Sequence, residues 1–440
     1  MLFSLEALRA REGDCLLLHW RPKAGDTPRL AVVDGGPKGV LEASLLPRLK
    51  QIATKRAVKP LPIDLLMVSH VDADHITGVQ RLLSDALREV DTNVPATKRQ
   101  FKVGRLWHNT FNDIVGDGTD AYYNGLASVG LLATVDGEPK KELEEPLTKN
   151  LKAKGLKDGD AEFVAEDVAA LLASQAQGRD LRVLYEGLRT AGAIKFKLNA
   201  TGGAAASTSL LSMGAAWAPF ELEGGLQVGI VGPLGAELAQ LQKDFDKYIK
   251  DKGLSVEALL AAYADESIPN LSSIVCLVGM PGGGGTGATA LLTGDARGDK
   301  ILTGLEKAGV KSPGQSLHVN VLKVPHHGSN RNVDPAFFQH ITADHYVFSG
   351  DGRHGNPDRD TLEWLFTARG PTAEYTIHLT YSLQEIDQTH KAERQAKGKP
   401  WKPAVHSLVD LFATAGPQYT AKLNDGKRCL IELGDEKVVW

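Results

Sequence analysis

The run Ile63-Asp-Leu-Leu-Met-Val68 stops at Ser69 and is followed at once by His70-Val-Asp-Ala-Asp-His75. A short apolar run bounded by polar residues reads as a buried strand that delivers side chains at its end. In the extended turn that follows, alternate residues put His70, Asp72 and Asp74 on one side. His75 joins Asp74 where the chain enters a helix. Imidazole nitrogens and carboxylate oxygens at this density suit a pair of divalent ions.

The same grammar recurs. Leu30-Ala-Val-Val33 ends at Asp34-Gly-Gly, Leu291-Leu-Thr-Gly-Asp295 ends on a carboxylate, and Leu322-Lys-Val-Pro-His-His-Gly-Ser329 ends on two histidines, His326 and His327. Alone, each reads as a turn or a surface loop; in this order behind the first motif, the last two read as ligand loops. Asp34 stays open between a turn residue and a carboxylate that orients a ligand. The strand Val103-Gly-Arg-Leu-Trp107 ends at His108, which is open between a ligand or substrate contact and an ordinary strand-end residue.

Composition narrows the function classes. Fifty Lys and Arg against 54 Asp and Glu leave a formal charge of −4, so any polyanion must be held by local patches rather than by an overall field. Three scattered cysteines, Cys15, Cys276 and Cys429, make neither a disulfide framework nor a CxxC zinc site and point to a reducing compartment. Glu6, Arg9 and Arg11 interrupt the opening segment where a signal peptide needs an apolar core, so a cytoplasmic protein without a membrane span is expected.

The series VVDGG, SHVDADHITG, LLTGD and VPHHGS resembles the metallo-β-lactamase fold. The Asp at the third position of the first histidine motif, with the HHGS ending, is similar to the nuclease-like domain of ComEC-type DNA-uptake proteins and their free-standing relatives. The resemblance implies an α/β fold of the αββα sandwich type, a dinuclear site and a metal-dependent hydrolase. His70 and Asp72 would hold one ion, Asp74 and His75 the other, and Asp295 would bridge them. One of His326 and His327 completes the second site, with His326 preferred because it shares strand parity with Leu322 and Val324. Asp34 would fix ligand orientation. Asp72 stands where the general fold has His, a harder donor that admits Mn²⁺ beside Zn²⁺. His108 is the candidate for the remaining histidine ligand. In Phe348-Ser-Gly-Asp-Gly-Arg-His-Gly-Asn-Pro357, His354 is a candidate proton donor, since Asn356 occupies the position where the relatives carry His before Pro. Asp74, Asp295 and His354 are thus the catalytic candidates, and a phosphodiester, nucleic acid first, is the expected substrate. A small-molecule ester, lactam or cyclic nucleotide is the alternative, and a metal-stabilised binding or regulatory module is another.

The motifs assign residues 1–111 and 219–370 to the sandwich. Residues 112–218, rich in Ala, Leu, Lys and Glu with helical spacing at Ala161–Leu172 and Leu181–Leu188, read as a mostly helical insertion. Within it, Thr201–Thr208 reads as a small-residue linker. Residues 371–440 read as a C-terminal extension, in which Lys397, Lys399 and Trp401 interleave bases and an aromatic ring as a single-strand-binding strip does. Gly282–Gly287 matches GxGxxG but leads into a strand, which makes it a hairpin loop rather than a dinucleotide site.

Overall fold

Successive side chains of the apolar strands point alternately into two cores. In β3 (Arg29–Val33), Leu30 and Val32 enter one cluster while Ala31 and Val33 enter another. In β4 (Leu61–Met67), Leu61 and Ile63 face the first cluster; the alternation then shifts by one residue, so that Leu66 faces the first cluster and Leu65 and Met67 the second. A strand that is apolar on both faces must be covered on both. The computed structural model describes residues 1–109, 148, 149, 152, 177–202, 210–214, 217–236, 238, 239, 272–281 and 287–439.

Around β3 and β4, the strands β1 (Leu2–Ala7), β2 (Leu16–Arg21), β5 (Phe101–Trp107) and β14 (Cys429–Glu432) complete a six-stranded sheet in the order β14-β1-β2-β3-β4-β5. The second sheet contains β6 (Phe220–Leu222), β7 (Leu226–Gly232), β8 (Val275–Met280), β9 (Ala288–Leu292), β10 (Leu317–Lys323), β11 (Ile341–Phe348), β12 (Thr376–Leu379) and β13 (Lys422–Asp425). These eight strands lie in reverse sequence order, from β13 to β6. Both sheets are mixed: β3-β4-β5 and β9 through β13 run parallel, and the remaining pairs are antiparallel.

Phe3, Leu18, Trp20 and Trp107 of the first sheet pack against Val228, Val278, Ala290, Val321 and Val347 of the second, forming the core between the sheets. Helices cover the outer faces. On the first sheet these are α1 (Leu46–Arg56), α2 (Ala73–Asp91) and a helix over 177–190. On the second they are α3 (Gly298–Lys307), α4 (Pro335–His340), α5 (Arg359–Arg369), α6 (Leu383–Ala396) and, beyond α7 (Pro403–His406), α8 (Leu408–Thr414). The layering is αββα, as the motifs imply. Among the described residues, no helix is long and apolar enough to cross a membrane.

Two segments sit differently from the sequence expectation. Residues 371–440 are no appendage: β12 and β13 extend the second sheet, and β14 pairs with β1 in the first. The cause is the alternation in Cys429-Leu-Ile-Glu432, which drives Cys429 and Ile431 into the core between the sheets. From the expected insertion, Leu181, Tyr185, Leu188, Ile194 and Leu198 join the outer core of the first sheet beside α2, so this end is packed into the sandwich. The stretch Ala161–Leu172, most of Thr201–Thr208 and residues 282–286 lie outside the described residues.

Glu6 on β1 ties this packing together. Its buried carboxylate accepts hydrogen bonds from Arg48 on α1 (2.9 and 3.1 Å) and from Arg428, next to β14 (2.8 Å). Burial raises the pKa of this carboxyl, but the neighbouring His19 imidazole at 3.9 Å, the hydrogen bond from Arg428 and the charge of Arg48 outweigh it and hold the value at about 2. Such a group stabilises the fold only while ionised, fully above its unfolded value near 4.5 and less as pH falls towards about 2. Glu6→Gln is therefore expected to cost roughly 3–5 kcal/mol near neutral pH. The gap from the unmodified chain should close between about pH 4.5 and 2, read by urea unfolding across that window; a gap independent of pH would contradict the clamp.

Candidate metal centre

The site forms where the carboxyl ends of the parallel strands meet. β4 ends at Met67, and α2 begins six residues later with Asp72 as its N-cap, extended at φ −69° and ψ 145°. An Asp at this position commonly accepts a hydrogen bond from the helix. Asp72 makes no such cap; its Oδ2 lies 3.3 Å from His70 Nε2. The start of α2 is pressed against the Asp34-Gly-Gly turn. Gly35 N–H donates to the His75 carbonyl (2.8 Å), and a Cβ on Gly78 would lie 2.0 Å from the Gly35 carbonyl oxygen. Only glycine permits that approach. It brings Asp34 Oδ2 to 2.9 Å from His75 Nδ1.

Asp295, three residues beyond β9, sits at the middle of the cluster. Its Oδ1 is 3.3 Å from His75 Nε2, and its Oδ2 is 3.6 Å from His70 Nε2, 3.5 Å from His326 Nε2 and 3.6 Å from His327 Nε2. His327 Nε2 also lies 3.3 Å from His75 Nε2 and 3.2 Å from Asp74 Oδ2. Donors about 2.1 Å from a tetrahedral ion are about 3.4 Å from one another, the spacing found here. Asp14, His75, Asp295 and His327 are all buried, with ligand atoms within 4.8 Å of one another, and such a group can hold a metal ion.

Of the histidine pair, the geometry favours His327, against the strand-parity preference for His326. Parity lapses because β10 ends at Lys323 and both histidines are in the left-handed region, at φ 47° and 54°. His327 is buried, and its Nε2 faces His75 and Asp74. His326 is partly exposed, with Nδ1 2.7 Å from Asn332 Oδ1. His108 is fully buried at the end of β5, its backbone held by the Asn199 side chain at 2.8 and 3.0 Å. Burial, then the charges of Arg182 and His70, hold its imidazole down at about 3. It therefore stays neutral, the form that ligates metals.

The orphaned atoms test whether this group suits a metal. Among the described residues, His70 Nε2, Asp295 Oδ1 and both ring nitrogens of His108 find no hydrogen-bond partner and are buried. Buried polar atoms in native proteins are rarely left so. Charge gives the same answer. Burial pushes the imidazoles of His75 and His327 down, yet Asp295, Asp74 and Asp34 around His75, and Asp295 and Asp14 around His327, raise them well above the ordinary histidine value. Burial pushes Asp295 up, and the four surrounding histidines hold it far below the carboxylate range. The carboxylates thus demand positive charge at this point, which a divalent cation supplies. The residues fit a metal.

Several participants carry no sequence signal of their own. Asp14, in the loop between β1 and β2, lies 3.2 Å from His327 Nδ1 and 2.9 Å from the ammonium of Lys323. Ser349, after β11, is 2.9 Å from His327 Nδ1 and donates to Asp14. Ser69 donates to Asp34 Oδ2 (2.8 Å) and lies 3.3 Å from His75 Nδ1. Lys323 in an apolar strand was the one available clue, since a buried ammonium requires a carboxylate.

The remaining candidates are not brought into the cluster. His354 is exposed, and its backbone N–H donates to Glu393 on α6 (2.8 Å). Glu393 also pairs with Lys397 at 3.0 Å, so the loop of His354 and the basic strip are neighbours. Trp401 packs against the rings of His390 and His406, at 5.3 and 5.4 Å between centroids. Lys399 is exposed in the same connection between α6 and α7.

No family model matches the chain. A stretch of 92 residues, 19% of the chain, is 29% identical to part of microtubule-associated protein 1A of Mus musculus. It spans 3% of that protein's length.

A metal bound only by the native chain must stabilise it, by about 2.7 kcal/mol at a hundredfold excess over its dissociation constant. Zn²⁺ or Mn²⁺ is expected to raise the melting temperature of the unmodified chain and of His326→Ala alike, and to raise that of His327→Ala less. No shift in any of the three, with no metal retained after desalting, would refute the centre; equal shifts in both variants would refute the choice of His327.

Proposed function

We propose that the chain is a metal-dependent phosphodiesterase of the metallo-β-lactamase type, acting on nucleic acid at a two-ion centre. The observation that carries this reading is the position of Asp295, with one carboxylate oxygen turned to His75 and the other to His70, His326 and His327. A carboxylate shared in this way suits two ions better than one. His70 and Asp72, with His108 beside them, would hold the first; Asp74, His75 and His327 would hold the second; Asp295 would serve both. Two divalent ions, Zn²⁺ or Mn²⁺, would supply a water of lowered pKa and Lewis acidity towards the attacked phosphorus.

The chain's own groups divide the rest of the work. Asp74 is 25% exposed where His75, Asp295 and His327 are buried, so it borders the open side and accepts the proton of the attacking water. His326, 27% exposed, faces the acceptor Asn332 Oδ1 with Nδ1, so its Nε2 presents a lone pair at the same side for contact with substrate, and Asp74, once protonated, is the donor to the leaving oxygen there in place of the outlying His354. Asp34 and Ser69 hold the ring of His75, so the site is arranged before substrate arrives. Lys397, Lys399 and Trp401, next to the His354 loop, supply charge and a stacking face for a strand approaching the centre.

A panel of single-stranded DNA, RNA, a model phosphodiester and a β-lactam, each with Zn²⁺ or Mn²⁺, tests the reading. Nucleic-acid cleavage is expected, with Asp295→Ala losing more than the roughly 100-fold that loss of an outer hydrogen-bond partner costs. If the strip holds the strand, replacing Lys397 and Lys399 by Ala should flatten the slope of log affinity against log salt by about 1.4. Lactam turnover without cleavage of any nucleic acid would overturn the substrate, and activity of Asp295→Ala within a few-fold of the unmodified chain would overturn the centre's role.

A further inference from the structure

The two histidines that face the centre from opposite sheets are held from behind by the same residue types. On the first sheet, His75 Nδ1 faces Asp34 at 2.9 Å, with Ser69 donating to that carboxylate. On the second, His327 Nδ1 faces Asp14 at 3.2 Å and Ser349 at 2.9 Å, with Ser349 donating to Asp14. The serines lie in similar places just past a parallel strand, Ser69 two residues after β4 and Ser349 one residue after β11. The two sets differ in one respect. Asp14 carries a buried cation, Lys323, at 2.9 Å on its other oxygen, and the Lys323 side chain is wholly inaccessible.

We propose that Asp14, paired with Lys323, is a positioning residue that locks the ring of His327 so that Nε2 faces the metal centre, and is not itself a ligand. The assignment rests on the two-ion reading above. Both oxygens of Asp14 are engaged, Oδ1 by Ser349 and His327 and Oδ2 by Lys323, so neither is free to turn inward. A carboxylate can only accept. The ring nitrogen facing it must therefore carry the proton, leaving the lone pair of His327 on Nε2, within 3.2–3.6 Å of Asp74, His75 and Asp295. An outer carboxylate of this kind fixes both tautomer and ring orientation. Lys323 explains how a carboxylate exists at that depth, since a buried charge without a partner is strongly unfavourable.

The test uses the full chain with Co²⁺ as the probe, reading affinity by chelator competition and coordination by the visible spectrum. Removing Asp14 alone would strand the Lys323 ammonium, so the main variant is Asp14→Asn with Lys323→Met, which removes both charges together. It is expected to bind Co²⁺ 10–100-fold more weakly while keeping the band positions and intensity of the unmodified chain. Ser349→Ala leaves the ion pair intact and is expected to weaken binding in the same direction; it decides the matter alone if the double variant does not fold. Unchanged affinity in the variants overturns the proposal, as does a spectrum in the double variant that reports a lost oxygen ligand, which would make Asp14 a ligand. If the unmodified chain takes up no Co²⁺, it is the two-ion reading that fails.

Discussion

One buried carboxylate, Asp295, lies within 3.6 Å of the ring nitrogens of four histidines, and two of the four come from each sheet. Such a group is tolerable in the interior only if opposite charge surrounds it. The requirement couples distant parts of the chain: β4 must deliver His70 and His75, β9 must deliver Asp295, and β10 must deliver His326 and His327 to one point. The observed packing of the two sheets satisfies it.

The architecture makes that convergence achievable. Parallel strands present all their carboxyl ends on one side, and the loops there vary without disturbing the ladders. Apolar residues on both faces of the central strands keep the scaffold rigid, with Trp20 and Trp107 filling the space between the sheets. Behind the centre, the Asp34–Ser69 and Asp14–Ser349 pairs fix two rings from opposite sheets. Polar groups that would destabilise a core elsewhere are here mutually satisfied, apart from the orphaned atoms of His70, His108 and Asp295, which point to a cation.

Much of this was legible because the chemistry sits at strand ends. The run ending in His70-Val-Asp-Ala-Asp-His75 announced both a buried strand and its cargo, and the Gly294-Asp295 ending did the same. The choice within His326-His327 was not legible, because alternation stops with β10 and the two residues occupy left-handed conformations that no strand rule anticipates. Asp14 was invisible for another reason: Arg-Glu-Gly-Asp is indistinguishable from a surface turn until Lys323, more than three hundred residues away, is seen against it. The placement of β14 is not legible in the alternation of Cys429 and Ile431, since four residues alone do not say which sheet has an edge to receive them. Motif position points His354 towards the site, yet its loop turns to Glu393 on α6.

Anomalous X-ray diffraction from crystals grown with Zn²⁺ or Mn²⁺ would locate ions held by the Asp and His side chains around Asp295. Two anomalous peaks are expected. One should lie about 2.0–2.2 Å from His75 Nε2, His327 Nε2 and oxygens of Asp74 and Asp295, the other at similar distances from His70, Asp72 and Asp295. A single peak would reduce the centre to one ion and remove the bridging role of Asp295. No peak near any of these residues, with their rings and carboxylates hydrogen-bonded to one another instead, would contradict the account outright.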